Sequence, residues 1–209
     1  MPQAARYEGD VTITGNLNVA GLYTGPFNRS NIVTETGVFD IPLASLRVWD
    51  AMQTNLPAIG AADDLGLATG TWATSLPYLK TQDLNAAGAV TERARFMFTL
   101  PPEYLSGGTI TFRLCAGMLS AVASVSATVD VEAYLSSRQT TVSGSDLCTT
   151  AATSANFTTL ANTDFVITPT SRQAGDVLDV RISWIGNSAT GSSHFGVISH
   201  VEAVLQIKG

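Results

Sequence analysis

Apolar and polar residues alternate along most of this chain between residues 93 and 207. The most regular stretch is 124–135, where Val129 and Val131 occupy one set of alternate positions and Asp130 lies between them on the other. Because successive side chains on a strand point to opposite faces of a sheet, this period of two predicts half-buried antiparallel strands. No stretch of the chain has an equally regular helical period. We therefore predict an all-β protein with little helix.

Turn-forming residues divide the alternating region into separate strands. Prolines end strands because they cannot donate to a ladder, and paired glycines mark turns. A set of seven or eight antiparallel strands in two sheets is typical of a β-sandwich of the jelly-roll type, so we expect one such domain over residues 32–209. The predicted strands are 32–39, a short one near 71–76, 93–100, 109–116, 124–135, 164–168, 177–185 and 196–207.

Two other segments of this domain follow different patterns. Residues 41–52 carry large apolar side chains at a spacing of three, which predicts a short amphipathic helix or turn on the sheet. We interpret this stripe as part of the core rather than as a ligand site. Residues 55–90 are rich in Gly, Ala, Asp and Pro and predict a long loop, which in a compact domain is often functional or forms an interface. The residues of the stripe are Leu43, Leu46, Trp49 and Met52.

The N-terminal segment has the pattern of a small β-hairpin. Two short alternating runs, 11–14 and 17–19, are joined by Gly15-Asn16, and glycine supplies the positive φ that two-residue turns need. An isolated hairpin is marginally stable in water, so this one needs a supporting surface. It either packs at the edge of its own domain or forms an arm on another chain. We predict the second, with residues 1–31 as arm and linker.

The composition excludes several classes of partner. Only 13% of the residues are charged and the net charge is -6, so the chain lacks the clustered basic stripe that phosphate contacts require. No apolar run reaches the 18 residues of a membrane span, and residues 1–10 lack the pattern of an export signal. We expect a soluble protein that binds neither nucleic acid nor membranes. Low charge also suits a protein that packs against copies of itself.

The sequence contains no complete catalytic or metal-binding pattern. His194 and His200 would share a face of a regular strand, but no third and fourth ligand completes a metal site, so we interpret them as surface or interface residues. The acidic pair Asp63-Asp64 leaves a calcium ion in a loop open. Cys115 and Cys148 are interpreted as free thiols, with Cys115 as a small buried hydrophobe. We predict no catalytic site, no metal site and no cofactor.

The aromatic residues could supply a sugar-binding platform. Trp184 lies on the apolar side of its predicted strand and is expected in the core. Tyr134 lies on the polar face and is the better surface candidate, although a lone exposed tyrosine more often serves a protein interface. The complete set is Trp49, Trp72, Trp184, Tyr7, Tyr23, Tyr78, Tyr104 and Tyr134.

The N-terminal motif points to a family of proteins. The run Gly-Asp-Val-Thr-Ile-Thr-Gly-Asn-Leu-Asn-Val-Ala-Gly at residues 9–21 resembles repeats in tail fibres, spikes and capsid accessory proteins of tailed bacteriophages. The Ile41-Pro42-Leu43 segment and the Ser/Thr/Ala-rich sandwich that ends at 201–207 are similar to small jelly-roll virion proteins of phages.

This resemblance implies a virion structural protein without enzymatic activity. It implies a capsid decoration (cement) or head-spike protein, a homotrimer on the capsid surface that binds the major capsid protein or another virion protein. A cement protein stabilises the shell by binding only its assembled state, which needs interfaces but no chemistry. The residues predicted to contact the capsid or another subunit are Val11, Ile13, Leu17, Val19, Leu22, Tyr23 and Phe27.

Three alternatives remain open at this point. A tail-fibre or spike module that binds a receptor carbohydrate would show exposed aromatic side chains around an open groove. An enzyme would need a pocket with convergent carboxylates or histidines, and the sparse charge argues against it. A major capsid protein of the single jelly-roll type is disfavoured because the chain lacks a basic inner arm.

Overall fold

The computed structural model describes residues 34–71, 73–85, 89–119, 125–136, 142–188 and 193–208. The predicted hairpin arm, the seven predicted contact residues and Trp72 lie outside these residues. The arm and the domain boundary near residue 31 therefore stay predictions.

The described residues form eleven strands and one short 3-10 helix at Leu43–Ser45. This confirms the all-β prediction. No helix in this part of the chain has the length and hydrophobicity needed to span a membrane. The strands are β1 Thr34–Asp40, β2 Gly66–Ala68, β3 Tyr78–Lys80, β4 Val90–Thr99, β5 Ile110–Met118, β6 Val125–Ser136, β7 Val142–Ser143, β8 Thr153–Ser154, β9 Ala161–Ile167, β10 Val177–Ser188 and β11 Gly196–Lys208.

The strands pair in two antiparallel sheets. Sheet A has the order β2-β3-β11-β5-β9, and β1 also pairs with β11. Sheet B has the order β4-β10-β6-β7, and β8 also pairs with β6. The chain changes sheet at each step from β4 to β5 to β6 and again from β9 to β10 to β11. These crossings place β10 between β4 and β6, and β11 between β1 and β5, which is a jelly-roll arrangement.

The inner faces of the two sheets enclose one hydrophobic core. Phe112 of sheet A packs edge-on against Phe96 of sheet B, with ring centroids 5.6 Å apart. Most of the alternate positions predicted to point inward are buried in β4, β5, β6 and β10, and Trp184 is 1% exposed, as predicted, whereas Phe98 and Leu135 are only partly buried. The two-residue alternation of apolar and polar positions, which reflects the two faces of a pleated sheet, thus identified most of the core. The central residues are Ala94, Phe96, Ile110, Phe112, Leu114, Val129, Val131, Val180, Ile182 and Trp184.

The segment before β4 differs from its prediction. Residues 71 and 73–76 form no strand, because Gly70 and Ala73 have positive φ and the Thr74 and Ser75 amides donate to the Thr71 carbonyl. The strands lie on either side of these residues, as β2 and β3, and they form a hairpin. The predicted long loop at 55–90 therefore contains two short strands of sheet A.

The last strand is irregular where the prediction assumed a regular one. A β-bulge between Ile198 and His200 shifts the register with β5. As a result Ile198 and Val201, three residues apart, are both buried, and His200 is exposed. His194 is buried and precedes β11. The regular strand that would place both histidines on one face is therefore not present.

Candidate functional site

The outer face of sheet B carries a concentration of charged side chains. In each strand the positions between the core residues point outward, because neighbouring side chains alternate. In the register of the sheet, Arg181 of β10 lies between Arg95 of β4 and Glu132 of β6. Asp179 of β10 lies beside Tyr134 of β6. Three adjacent strands thus present arginines, carboxylates and a tyrosine on one surface.

Two ion pairs hold this surface in a defined arrangement. Arg95 donates from Nε to Asp179 Oδ1 at 2.6 Å and from Nη2 to Asp179 Oδ2, so this pair is bidentate. Arg181 donates from Nε and Nη2 to Glu132 Oε2. The hydrogen bond to Asp179 raises the pKa of Arg95. Bidentate pairs fix geometry as well as charge, so the polar groups on this face are preorganised.

Trp49 lies against this charged face. Residues 46–48 run beside β4, where the Arg47 and Arg95 amides each donate to the other residue's carbonyl, at 2.9 and 3.0 Å. The indole Nε1 donates to Asp63 Oδ2 at 2.8 Å. The guanidinium carbons of Arg93 and Arg181 lie 5.0 and 5.4 Å from the ring centroid, within the range of cation–π attraction. The indole is therefore held at its nitrogen and by two cations.

The prediction that Trp49 belongs to the core is wrong. Leu46 and Val48 are both buried, which shows an extended segment with a period of two instead of a helical spacing of three. That alternation turns Trp49 to the outer surface, where it is half-buried. The signal was present in the sequence as the alternation of Leu46, Arg47, Val48 and Trp49.

A cleft of about 250 Å³ opens between Trp49 and the sheet. Among the described residues, Asp50 and Tyr134 have no hydrogen-bond partner, and the hydrogen bonds of Arg181 to Glu132 use its Nε and Nη2 but not its Nη1. Desolvation raises the pKa of Tyr134, so its hydroxyl remains a neutral donor and acceptor at physiological pH. The cleft is lined by Trp49, Asp50, Arg95, Tyr134, Asp179 and Arg181.

This arrangement suits recognition of a polar ligand. Two aromatic rings supply apolar surface, and a carboxylate, a guanidinium and a phenol supply a few fixed polar groups, which is the usual composition of a small-molecule site. Arg95 and Asp179 satisfy each other, and they shape the floor of the cleft. The predicted surface role of Tyr134 agrees with its position here, whereas the partners of Trp49 and Arg181 could not be paired from sequence.

The other predicted site residues lie elsewhere. Cys115 and Cys148 are free thiols, and Cys115 is half-buried on the outer face of sheet A because its neighbours Leu114 and Ala116 point inward. Its prediction as a buried hydrophobe is therefore wrong. Within the described ranges, no group of three or more His, Cys, Asp or Glu side chains could hold a metal ion.

Comparisons with known proteins give only distant likenesses. No protein-family model and no curated protein matches the chain. A family 16 carbohydrate-binding module is similar at 11% identity and a TM-score of 0.36, over 70% of this chain and 88% of that one. A family 30 carbohydrate-binding module of a cellulosomal cellulase from Clostridium thermocellum has 11% identity and a TM-score of 0.33, over 82% and 91%. The structure of infectious bursal disease virus has 9% identity and a TM-score of 0.26, over 91% and 54%.

Proposed function

We propose that this β-sandwich is a non-enzymatic carbohydrate-binding module whose site is the cleft on the outer face of sheet B. The observation that carries the proposal is the placement of Trp49 and Tyr134 around an open cleft whose polar groups are held by ion pairs. A sugar ring presents apolar C–H groups on its faces and hydroxyls at its rim. It therefore needs an aromatic surface together with fixed donors and acceptors.

The residues of the cleft supply both kinds of contact. The aromatic rings would cover a face of the sugar. The Asp50 carboxylate accepts hydrogen bonds from hydroxyls, while Nη1 of Arg181 and the Tyr134 hydroxyl donate to them. The Arg95–Asp179 pair keeps the floor rigid, which lowers the entropy lost on binding. At about 250 Å³ the cleft is below the size range of sites for drug-sized ligands, which suits one or two sugar residues.

A glycan array followed by titration calorimetry tests this proposal. We expect Trp49→Ala and Tyr134→Ala each to weaken glycan binding about tenfold or more, since an aromatic contact in a binding site is worth ~1.4 kcal/mol or more. Tyr78→Ala is the matched control, because Tyr78 is a half-buried tyrosine of β3 in the other sheet. Absence of binding to any glycan, or an unchanged affinity of Trp49→Ala, would contradict the proposal.

We also propose that the protein is a virion structural protein, on the resemblance of residues 9–21 to phage fibre, spike and capsid accessory repeats. In this role it attaches as a homotrimer to the assembled head through its N-terminal arm. The jelly-roll arrangement supports the proposal, since virus capsid domains also use it. A glycan-binding cleft would suit the same particle, because virions meet glycans on host surfaces.

Electron microscopy of purified protein mixed with capsids tests the virion role. We expect density on the shell with the full chain and none with a chain that lacks residues 1–31. Light scattering at micromolar concentration should give the mass of a trimer, since closed symmetric assemblies are the rule for such proteins. Binding of the truncated chain to capsids would show that the arm is not the attachment, and a monomer mass would contradict the trimer.

A further inference from the structure

A second and larger groove lies at the edge of sheet A, apart from the cleft with Trp49. Its volume is about 470 Å³. One wall is the segment 40–44, which leaves β1, and the other consists of Leu67, Thr69, Leu76 and Pro77 from the β2–β3 hairpin. Leu76 is 83% exposed, the most exposed of the large apolar side chains in the described residues. Together with the other apolar residues of the groove, this exposed side chain offers contact area to a ligand.

The groove coincides with an interruption in the sheet. Strand β11 pairs with β3 at Val197 and Ile198, and with β1 from Glu202 onward along the same strand. Ser199 and His200 lie between these two partners, at the β-bulge, and they line the groove. A bulge bends the strand and re-aims its side chains, and such features occur next to binding sites. Here the bulge brings the His200 side chain to the mouth of an apolar groove.

Carboxylates give this mouth a negative charge. His200 Nε2 lies 3.5 Å from Asp40 Oδ1 and 3.5 Å from Glu202 Oε2. Beyond them, Arg113 is bound to Asp164 at 2.6 Å and reaches Glu202 at 3.3 Å. Asp40, Glu202 and Asp164 are three carboxylates beside the single guanidinium of Arg113, so the net charge along this line of side chains is negative. Asp40, with an exposed side chain, is the carboxylate that lines the groove itself.

We propose that this groove binds a small organic amine with an apolar body. The apolar part lies between Leu43, Leu67 and Leu76, and the ammonium group lies at Asp40 beside His200. The charge at the mouth decides the ligand class, because it attracts a cation and repels a carboxylate of the same size. The site is independent of the carbohydrate cleft, which lies on the other sheet.

Nuclear magnetic resonance titration with three probes of equal chain length tests the proposal. The probes are hexylamine, 1-hexanol and hexanoate at pH 8, where the amine is protonated. We expect saturable shifts at Leu67, Leu76 and His200, with hexylamine binding about tenfold more tightly than hexanoate and 1-hexanol between them. Equal affinity for the three probes, no saturable shift with hexylamine, or shifts only outside the groove would overturn the proposal.

Variants of exposed residues separate the two parts of the site without disturbing the fold. Asp40→Asn should weaken hexylamine binding about threefold and leave 1-hexanol unaffected, as expected for one exposed charge. Leu76→Ser should weaken all three probes about fivefold through lost apolar contact. Glu35→Gln and Leu119→Ser are the matched controls, being exposed residues outside the groove. Controls that weaken binding as much as the groove variants would also overturn it, and Trp49→Ala should leave amine binding intact.

Discussion

Glu92 is the residue whose environment is most unusual for its type. It lies on the inward face of β4, is fully buried and stands opposite Trp184 of β10 in the register. Its carboxyl oxygens accept a hydrogen bond from the Gln82 amide at 3.1 Å. Burial raises the pKa of Glu92 to about 7, and the negative charge of Asp64 adds to this. Below about pH 7 the carboxyl group is therefore neutral, and its oxygen accepts the hydrogen bond that ties the segment after β3 to the sandwich.

We predict that Glu92 makes the protein less stable as the pH rises from about 4.5 to about 7. In the folded protein the group keeps its proton in this window, whereas in the unfolded chain it loses it. The stabilising contribution is therefore complete below the unfolded pKa and is lost as the pH passes the folded one. A shift of this size corresponds to about 3 kcal/mol in the free energy of unfolding.

Urea unfolding at several pH values measures this effect. Glu92→Gln should flatten the pH dependence between pH 4.5 and 7 and raise the stability at pH 8, because the amide oxygen still accepts from Gln82 without a charge. Glu35→Gln, a change at an exposed position of β1, should leave the profile as it was. A wild-type stability that does not fall over this range would refute the prediction.

At the scale of elements, β10 and β11 meet at a close contact. Gly196 begins β11, and a Cβ atom there would lie 2.1 Å from Cε2 and 2.4 Å from Cζ2 of the Trp184 ring. No other residue fits, since real Cβ atoms do not approach other atoms this closely. The buried indole of one sheet thus packs directly on the backbone of the other.

We predict that Gly196→Ala lowers the free energy of unfolding by about 3 kcal/mol, because the added methyl group must displace the largest fully buried side chain. Gly144→Ala is the control. A methyl group added to that glycine would meet no atom within 4 Å, but its φ is +88°, so backbone strain alone should cost about 1 kcal/mol. Urea unfolding measures the free energy of unfolding of both variants. Equal decreases in the two variants would show that the close contact with Trp184 does not contribute to the effect of Gly196→Ala.

Some elements of this fold could be predicted from the sequence and others could not. Long strands such as β6 and β10 were predictable because one face is buried along their whole length, which imposes a period of two. The strands β2 and β3 were not, since three residues carry too little periodicity and the turn between them depends on positive φ at Ala73, which is rare for alanine. The prediction that Trp49 belongs to the core was wrong because apolar residues three positions apart, although they lie here in an extended segment, give the same pattern as one face of a helix. The ion pairs of the cleft join residues up to 84 positions apart, and only the topology brings them together.

At the scale of the molecule, the described strands of both sheets enclose a continuous hydrophobic core. Its buried residues lie between Ile41 and Leu205. We therefore predict that a chain without residues 1–31 keeps the far-ultraviolet circular dichroism of a β protein and melts within a few degrees of the full chain. A truncated chain that is unfolded, or that melts more than about 8 °C lower, would place the N-terminal residues in the core.

The position of β11 has a consequence for synthesis on the ribosome. This strand is the last of the described residues, yet it lies in the middle of sheet A, between β5 on one side and β1 and β3 on the other. Until it has emerged, β1 has no partner among the described strands, and β5 is paired only with β9. Thr34 then pairs with Lys208 across almost the whole length of the domain, and such non-local pairing is slow. The nascent chain therefore exposes the inner face of an unfinished sheet until β11 has emerged from the ribosome and this single strand completes sheet A.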